Sequence, residues 1–198
     1  VHPSGNLLFV TNNIGSPGTL SVFIIQSTGS LTPVGGSLFP VGLDPQAVVL
    51  NATGTVVYVA NKGASSIFAF SVDQNTGVLS PPNGQSFSTT APSSLAVGPG
   101  GQFLYVANSG TGTIGLITIN EVTGALIAAS PAASVTNPEF IRIDPAGRLL
   151  YATDSTSDLA SIFSIDPVAG TLTPTGTRAM RGDPAAVAFV SGTAAVTP

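Results

Sequence analysis

Side chains able to carry acid–base or nucleophilic chemistry are scarce in this sequence. Among 198 residues there are nine carboxylates, five lysines and arginines, one histidine and no cysteine. Three of the charged groups, Glu139, Arg142 and Asp154, fall in one stretch. The two carboxylates can accept a proton from water, and the guanidinium can contact an anion or a carboxylate. Gln46, Ser93, Asn61, Asn108 and Lys62 add two kinds of amide, a hydroxyl and an ammonium, a set that suits a small polar ligand if the chain brings them together. His2 stands alone. With no second histidine and no cysteine, neither a Ser-His-Asp triad nor a thiol nucleophile can be read from the sequence.

What must position these groups is a repeat. LLFVTN at residues 7–12 returns as VVYVAN at 56–61, FLYVAN at 103–108 and LLYATD at 149–154, with Phe9, Tyr58, Tyr105 and Tyr151 spaced by 49, 47 and 46 residues. Gly5, Gly54, Gly101 and Gly147 precede these segments at the same step. Gly29, Gly77, Gly124 and Gly170 follow them, and Pro45, Pro92, Pro138 and Pro184 lead into the next apolar run. A constant period of this size marks a repeat architecture. His2 lies in HPSG where the other repeats have Asn51, Gly98 and Asp144, so it reads as a turn residue. Glu139, Arg142 and Asp154 gain interest because they break the pattern: Gln46, Ser93 and Ala185 are the counterparts of Glu139, while Val49, Ala96 and Ala188 are those of Arg142.

Within one repeat, QAVVL at 46–50, VVYVAN at 56–61, IFAFSV at 67–72 and the region near QSFST at 85–89 form four short apolar or alternating runs separated by turn signals. Alternation puts Phe68, Phe70 and Val72 on one face, with Ala69 and Ser71 on the other. Ile117 and Ile119 oppose Leu116 and Thr118 in the next repeat, and Phe23 and Ile25 oppose Val22 and Ile24 in the first. Neither face carries charge, as expected for a sheet covered on both sides. The expectation is an all-β protein, a β-propeller of four-stranded antiparallel blades around a channel. The repeats are about 1–44, 45–91, 92–137 and 138–183, with AAVAFV at 185–190 as one further first strand after Pro184.

HPSG at residues 2–5, YVAN, and TGxL at Thr76–Leu79 and Thr123–Leu126 resemble the YVTN-type repeats of lactonase-like seven-bladed propellers over nearly the whole chain. The resemblance implies a ring larger than the roughly four blades present, since seven repeats of this size need about 330 residues. The expectation is therefore a chain cut short, whose open blade edges pair with missing blades or with another chain. The resemblance also implies a rim at the proline-led first strands and the second-strand ends, where Gln46, Asn61, Lys62, Ser93, Asn108, Glu139 and Asp154 gather. Relatives carry a Pro-Arg-His-like segment on a first strand and an acid after a second strand. Here the stretch reads Pro138-Glu139-Phe140, without that histidine, and Asp154 stands at the acid's place.

Composition narrows the functions. Charged residues are 7% and the net charge is −4, so no basic cluster exists to neutralise a run of phosphates, and no nucleic-acid role is expected. The longest apolar runs are too short for a membrane-spanning helix despite a mean hydropathy of +0.45. No metal set and no cofactor motif is read. Low charge, abundant Ser, Thr and Gly, and the lack of cysteine point to a bacterial periplasmic or extracellular setting, and no signal peptide is visible in the sequence. Three further matches read as background. Arg181-Gly182-Asp183 is an integrin-type tripeptide, Asn51-Ala52-Thr53 a glycosylation sequon, and Asp154–Asp158 a run of spaced carboxylates with too few oxygens for calcium.

The leading functional expectation is a propeller that binds a small molecule or a protein partner at one rim. The alternative is a carboxylic-ester hydrolase of the 6-phosphogluconolactonase type that opens a sugar lactone, with Glu139, Asp154 and Arg142 as participants. A general base and a donor to the oxyanion are what that reaction requires. A third reading is a structural or adhesive surface repeat. The asparagines also have a purely local reading, as turn formers bonded to backbone. Arg142 likewise could be one half of an ion pair between blades.

Overall fold

The computed structural model describes residues 1–36, 38–80, 86–180, 182 and 184–189. Arg181 and Asp183 of the tripeptide lie outside the described residues, as do Gln85 and Val190 at the ends of two expected strands. The described chain is all-β, with strands grouped into four antiparallel sheets that follow one another along the sequence.

The first sheet contains β1 (Leu7–Asn12), β2 (Thr19–Ile25), β3 (Leu31–Pro33) and β4 (Phe39–Pro40). The second contains β5 (Pro45–Leu50), β6 (Val56–Asn61), β7 (Ser66–Val72), β8 (Leu79–Ser80) and β9 (Ser86–Ser88). The third contains β10 (Pro92–Val97), β11 (Phe103–Asn108), β12 (Thr113–Ile119) and β13 (Leu126–Ser134). The fourth contains β14 (Pro138–Ile143), β15 (Leu149–Asp154), β16 (Leu159–Ile165) and β17 (Leu172–Ala179). Each sheet is a meander in chain order. In the first two sheets the outermost position is shared by two short strands, β3 with β4 and β8 with β9. In the last two it is one continuous strand. Residues 184–189 follow the fourth sheet without strand pairing.

Successive sheets pack face to face as blades, and the apolar core is divided into three layers between them. Leu7, Phe9, Leu20 and Val22 of the first blade meet Val57, Val59, Phe70 and Val72 of the second. Val56, Tyr58, Ile67 and Ala69 on the second blade's other face meet Leu95, Leu104, Val106 and Ile117 of the third. Tyr105, Ala107, Ile114 and Leu116 then meet Ile141, Leu150, Ala152 and Phe163 of the fourth. In the second and third blades the alternation of the inner strands thus serves two cores at once, which is why charge is missing from both of their faces.

The repeated aromatic and the repeated hairpin glycine lock neighbouring blades. The Tyr58 hydroxyl donates to the Gly124 carbonyl at 2.7 Å, and the Tyr105 hydroxyl to the Gly170 carbonyl at 2.7 Å. Each glycine is buried with φ near +70° and sits directly on the first residue of the preceding blade's second strand. A Cβ on Gly170 would lie 2.8 Å from the Phe103 ring, so only glycine meets both demands. A capped turn presents each of these glycines. Asp73, Asn120 and Asp166 accept from the amides two and three residues ahead. His2 joins two blades as well as forming its turn. Its Nδ1 accepts from the Ser4 amide at 3.1 Å, which leaves Nε2 to donate to the Gly54 carbonyl at 3.2 Å.

Candidate functional site

The first strands of the second, third and fourth blades, β5, β10 and β14, lie side by side and line a groove of about 430 Å³. Its walls are Gln46 to Val49, Ser93 to Val97 and Phe140 to Ile143. Apolar side chains dominate, and Arg142 is the only charged one. Each of these strands forms an edge of its sheet and begins at a proline, which an edge position tolerates because no further partner needs its missing N–H.

Each strand also starts with an irregularity. The ladder register shifts between Pro45 and Ala47, Pro92 and Ser94, and Pro138 and Phe140. Gln46, Ser93 and Glu139 are the extra residues of these bulges, which re-aim side chains at the ends of strands. Strict alternation would put Glu139 and Arg142, three residues apart, on opposite faces, but it does not run across residue 139. Beyond the bulge it holds. Ile141 and Ile143 face the third blade, while Arg142, opposite Tyr151 in the ladder, lies on the other face and borders the groove. At the rim, Asp44 and Ala91 precede their prolines with φ of 53° and 45°, a left-handed conformation that is strained for residues other than glycine.

The sequence candidates divide into three groups. Arg142 is exposed to the groove, and among the described residues nothing pairs with it. Glu139 is half-buried at the mouth, one residue before the lined stretch, and pairs with Lys62 at 3.7 Å. That contact joins the fourth blade to the second and passes over the third.

The second group is engaged in building the rim. Asn61 is fully buried, accepts from the Gly42 amide at 2.9 Å and donates to the Val59 carbonyl at 3.4 Å. Asn108 accepts from the Thr89 hydroxyl at 2.6 Å. The Ser93 hydroxyl donates to the Pro138 carbonyl at 2.8 Å and so ties the third blade to the fourth. These three are sequence candidates for meeting a ligand, and in the structure each has a side-chain polar atom bonded to a neighbouring blade, because a buried amide or hydroxyl must find a partner. Gln46 remains exposed on the groove, with its amide donating to Asp44 at 2.6 Å.

Asp154 forms the third group. It is buried, and it lines a different groove of about 310 Å³ between the third and fourth blades with Thr136, Ser157 and Ser161. Its carboxylate accepts from the Thr156 amide at 2.9 Å and the Ser157 amide at 3.1 Å. Burial pushes its pKa up, but these donors, the Ser157 hydroxyl and the Asn137 amide outweigh burial and hold it below the usual carboxylate range. It is thus a turn-holding carboxylate in the place where other blades use Asn61 and Asn108.

Sequence reasoning missed Ser94 and Phe140. The Ser94 hydroxyl accepts from the Ile141 amide at 3.2 Å and sets the spacing of β10 and β14, while Phe140 lines the groove beside Arg142. Nothing in the repeat singled them out, because a bulge has no residue signature of its own here. Among the described residues no group of three or more His, Cys, Asp or Glu could hold a metal ion, and no helix is long and apolar enough to cross a membrane.

Comparison with known proteins accords with this architecture. The family model described as "Lactonase, 7-bladed beta-propeller" matches residues 1–142 and, in a second match, residues 83–189. No curated protein sequence matches the chain. Among solved structures, a proposed 6-phosphogluconolactonase from Bacteroides fragilis superposes with a TM-score of 0.82 at 20% identity, over 96% of this chain and 56% of that one. A second proposed 6-phosphogluconolactonase, from Bacteroides uniformis, gives 0.77 at 23% identity, over 93% and 58%. A periplasmic gluconolactonase from Pseudomonas aeruginosa gives 0.74 at 19% identity, over 90% and 55%. The chain spans a little over half the length of each of these structures. At such identities the likeness is one of fold.

Proposed function

Because the chain belongs to the lactonase family of seven-bladed β-propellers, we propose that the protein opens a sugar lactone by hydrolysis in the groove lined by β5, β10 and β14. The observation that carries this reading is Arg142, a guanidinium without a partner among the described residues on the wall of an otherwise uncharged cavity. Its counterparts Val49 and Ala96 pack in apolar cores, whereas Arg142 is exposed and its guanidinium is open to an anion. The substrate's anionic group or the developing oxyanion supplies that anion. Phe140, Leu95 and Val48 offer apolar surface to the C–H face of a sugar ring.

In this scheme Glu139 is the general base at the mouth. It takes a proton from water as the water oxygen bonds to the lactone carbonyl carbon. Arg142 holds the oxyanion. Collapse breaks the ring C–O bond, and the ring oxygen recovers the proton from Glu139. Lys62, 3.7 Å away, holds Glu139 in place. Asp154 takes no part in proton transfer, since its oxygens are committed to the loop at Thr156 and Ser157. The test is the rate of hydrolysis of gluconolactone and 6-phosphogluconolactone by the protein and by Glu139→Gln and Arg142→Ala. Loss of a general base lowers kcat by about 10²–10⁴-fold.

A second reading is favoured by one observation: Asp154 lines a different groove and its carboxylate is held by the Thr156 and Ser157 amides. On that reading the groove binds a sugar acid without turning it over. Tight binding of gluconate at Arg142 with no hydrolysis above background selects it. For location we propose the periplasm or the exterior of a bacterium, on the low charge and lack of cysteine. Recovery of the protein in a periplasmic extract checks this.

A further inference from the structure

Between the second and third blades lies a cavity of about 230 Å³ that shares no residue with the groove beside Arg142. Thr90, Thr113 and Ser130 stand on its walls, Val106 and Ile117 give it apolar surface, and no charged residue lines it. Its volume is many times what one water needs. The opening comes from Gly115 of β12, which is opposite Val106 in the ladder. At the matching place the first, second and fourth blades have Ser21, Phe68 and Ser161, opposite Val10, Val59 and Ala152. Only the third blade has no side chain there. No left-handed backbone calls for glycine at residue 115. A glycine inside a strand weakens it, and often marks a close approach by a ligand or another backbone.

The missing side chain leaves a donor unanswered. In the first blade the Asn12 amide donates to the Ser21 hydroxyl at 2.8 Å and to the Thr19 hydroxyl at 3.1 Å. Asn108 is its counterpart at the end of β11, and it keeps neither acceptor. Gly115 stands in place of Ser21, and Thr113, the counterpart of Thr19, is bonded to the Thr111 hydroxyl at 2.9 Å. The Thr89 hydroxyl donates to Asn108 Oδ1 at 2.6 Å and so fixes how the amide is turned. Nδ2 then lies 3.0 Å from the place a Cβ on Gly115 would take. Among the described residues nothing accepts from it. Asn108 is 9% exposed, and a buried N–H without an acceptor is costly. The second and fourth blades avoid that cost. Asn61 donates to the Val59 carbonyl at 3.4 Å, and Asp154 brings a carboxylate held by amides.

We propose that this cavity is a binding site for a neutral sugar, a single ring in size, with one of its hydroxyls accepting from Asn108 Nδ2. The volume falls below the roughly 300–1,000 Å³ of sites for drug-sized ligands, which limits the occupant to one ring. A hydroxyl both donates and accepts, so a ring that carries several also meets the threonine and serine hydroxyls on the walls. Val106 and Ile117 suit the C–H face of the same ring. A carboxylate or phosphate would lose its water here with no cation to offset the loss. That separates this site from the groove beside Arg142, and its occupancy does not depend on lactone hydrolysis.

The test is a titration of the isotope-labelled protein with glucose, galactose and mannose, followed by NMR at the side-chain amide of Asn108. The expected result is a saturable shift of that signal with at least one sugar, and a dissociation constant on the order of millimolar. Gly115→Ser recreates the Asn12–Ser21 pair of the first blade, so its hydroxyl takes the bond offered to the sugar. Gly115→Ala fills the same space without the acceptor. Both are first shown to keep the circular dichroism of the parent, and each is expected to weaken binding about tenfold or more. Arg142→Ala is expected to leave the sugar titration unchanged, whereas it would abolish a shift that arose from the other groove. No saturable shift with any of the three sugars up to about 100 mM overturns the proposal. So does binding that both glycine variants keep at full strength, or binding that Arg142→Ala removes.

Discussion

Replacing Tyr105 by phenylalanine isolates the bond on which the stacking of blades rests. The hydroxyl donates to the Gly170 carbonyl at 2.7 Å, across the core between the third and fourth blades. Both ends are buried, with Tyr105 at 0% exposure. The ring itself stays, so no cavity beyond one oxygen is made. What remains is a buried carbonyl without its donor, which costs about 1–3 kcal/mol. Phenylalanine is tolerated at this place in the repeat, since Phe9 is buried there in the first blade. The variant is therefore expected to fold and to lose about 1–3 kcal/mol in urea unfolding with an unchanged slope. Tyr58→Phe, which removes the matching bond to Gly124, is expected to lose a similar amount. A loss below about 0.5 kcal/mol in both variants refutes the claim that these bonds hold the blades.

Two further predictions concern pH. Burial raises the pKa of Tyr58 and Tyr105 to about 12, with the Asp166 charge adding to the effect at Tyr105. The unfolded phenols ionise near 10, so the folded state holds more protons between about pH 10 and 12 and stability falls as pH rises through that window. The fall becomes shallower in Tyr58→Phe, which a series of urea melts at alkaline pH measures. The Asp154 pKa is depressed, so its contribution is present above the unfolded value near 4 and is lost as pH falls through the folded one. Asp154→Asn, which installs the residue found at 61 and 108, is expected to fold normally, to flatten that acid limb and to keep any lactone hydrolysis the protein shows.

Much of this fold was legible because a propeller blade repeats its local chemistry. The step from Tyr58 to Tyr105 set the strands, and the glycines at 77, 124 and 170 marked hairpins whose exact partner the sequence did not reveal. The tyrosine-to-glycine bonds run between blades, and a period within one chain does not say which neighbour a side chain meets. The site was less legible for the same kind of reason. Asn61, Asn108 and Ser93 have the types and positions of ligand contacts, but burial commits their atoms to partners that only the packing supplies. Asp154 broke the repeat in charge but not in role. Arg142 broke it in both, and it was found by that departure. The bulges at Gln46, Ser93 and Glu139 leave no mark in composition, so the relation of Glu139 to Arg142 could not be obtained from alternation.

The central claim, that the groove beside Arg142 is where a lactone is bound and opened, is tested most directly by steady-state hydrolysis of 6-phosphogluconolactone. The protein is compared with Arg142→Ala and Glu139→Gln, both first shown to keep the wild-type unfolding midpoint. The expected pattern is a raised KM or lowered kcat/KM for Arg142→Ala and a kcat lowered by about 10²-fold or more for Glu139→Gln. Hydrolysis that proceeds at the wild-type rate in both variants contradicts the account.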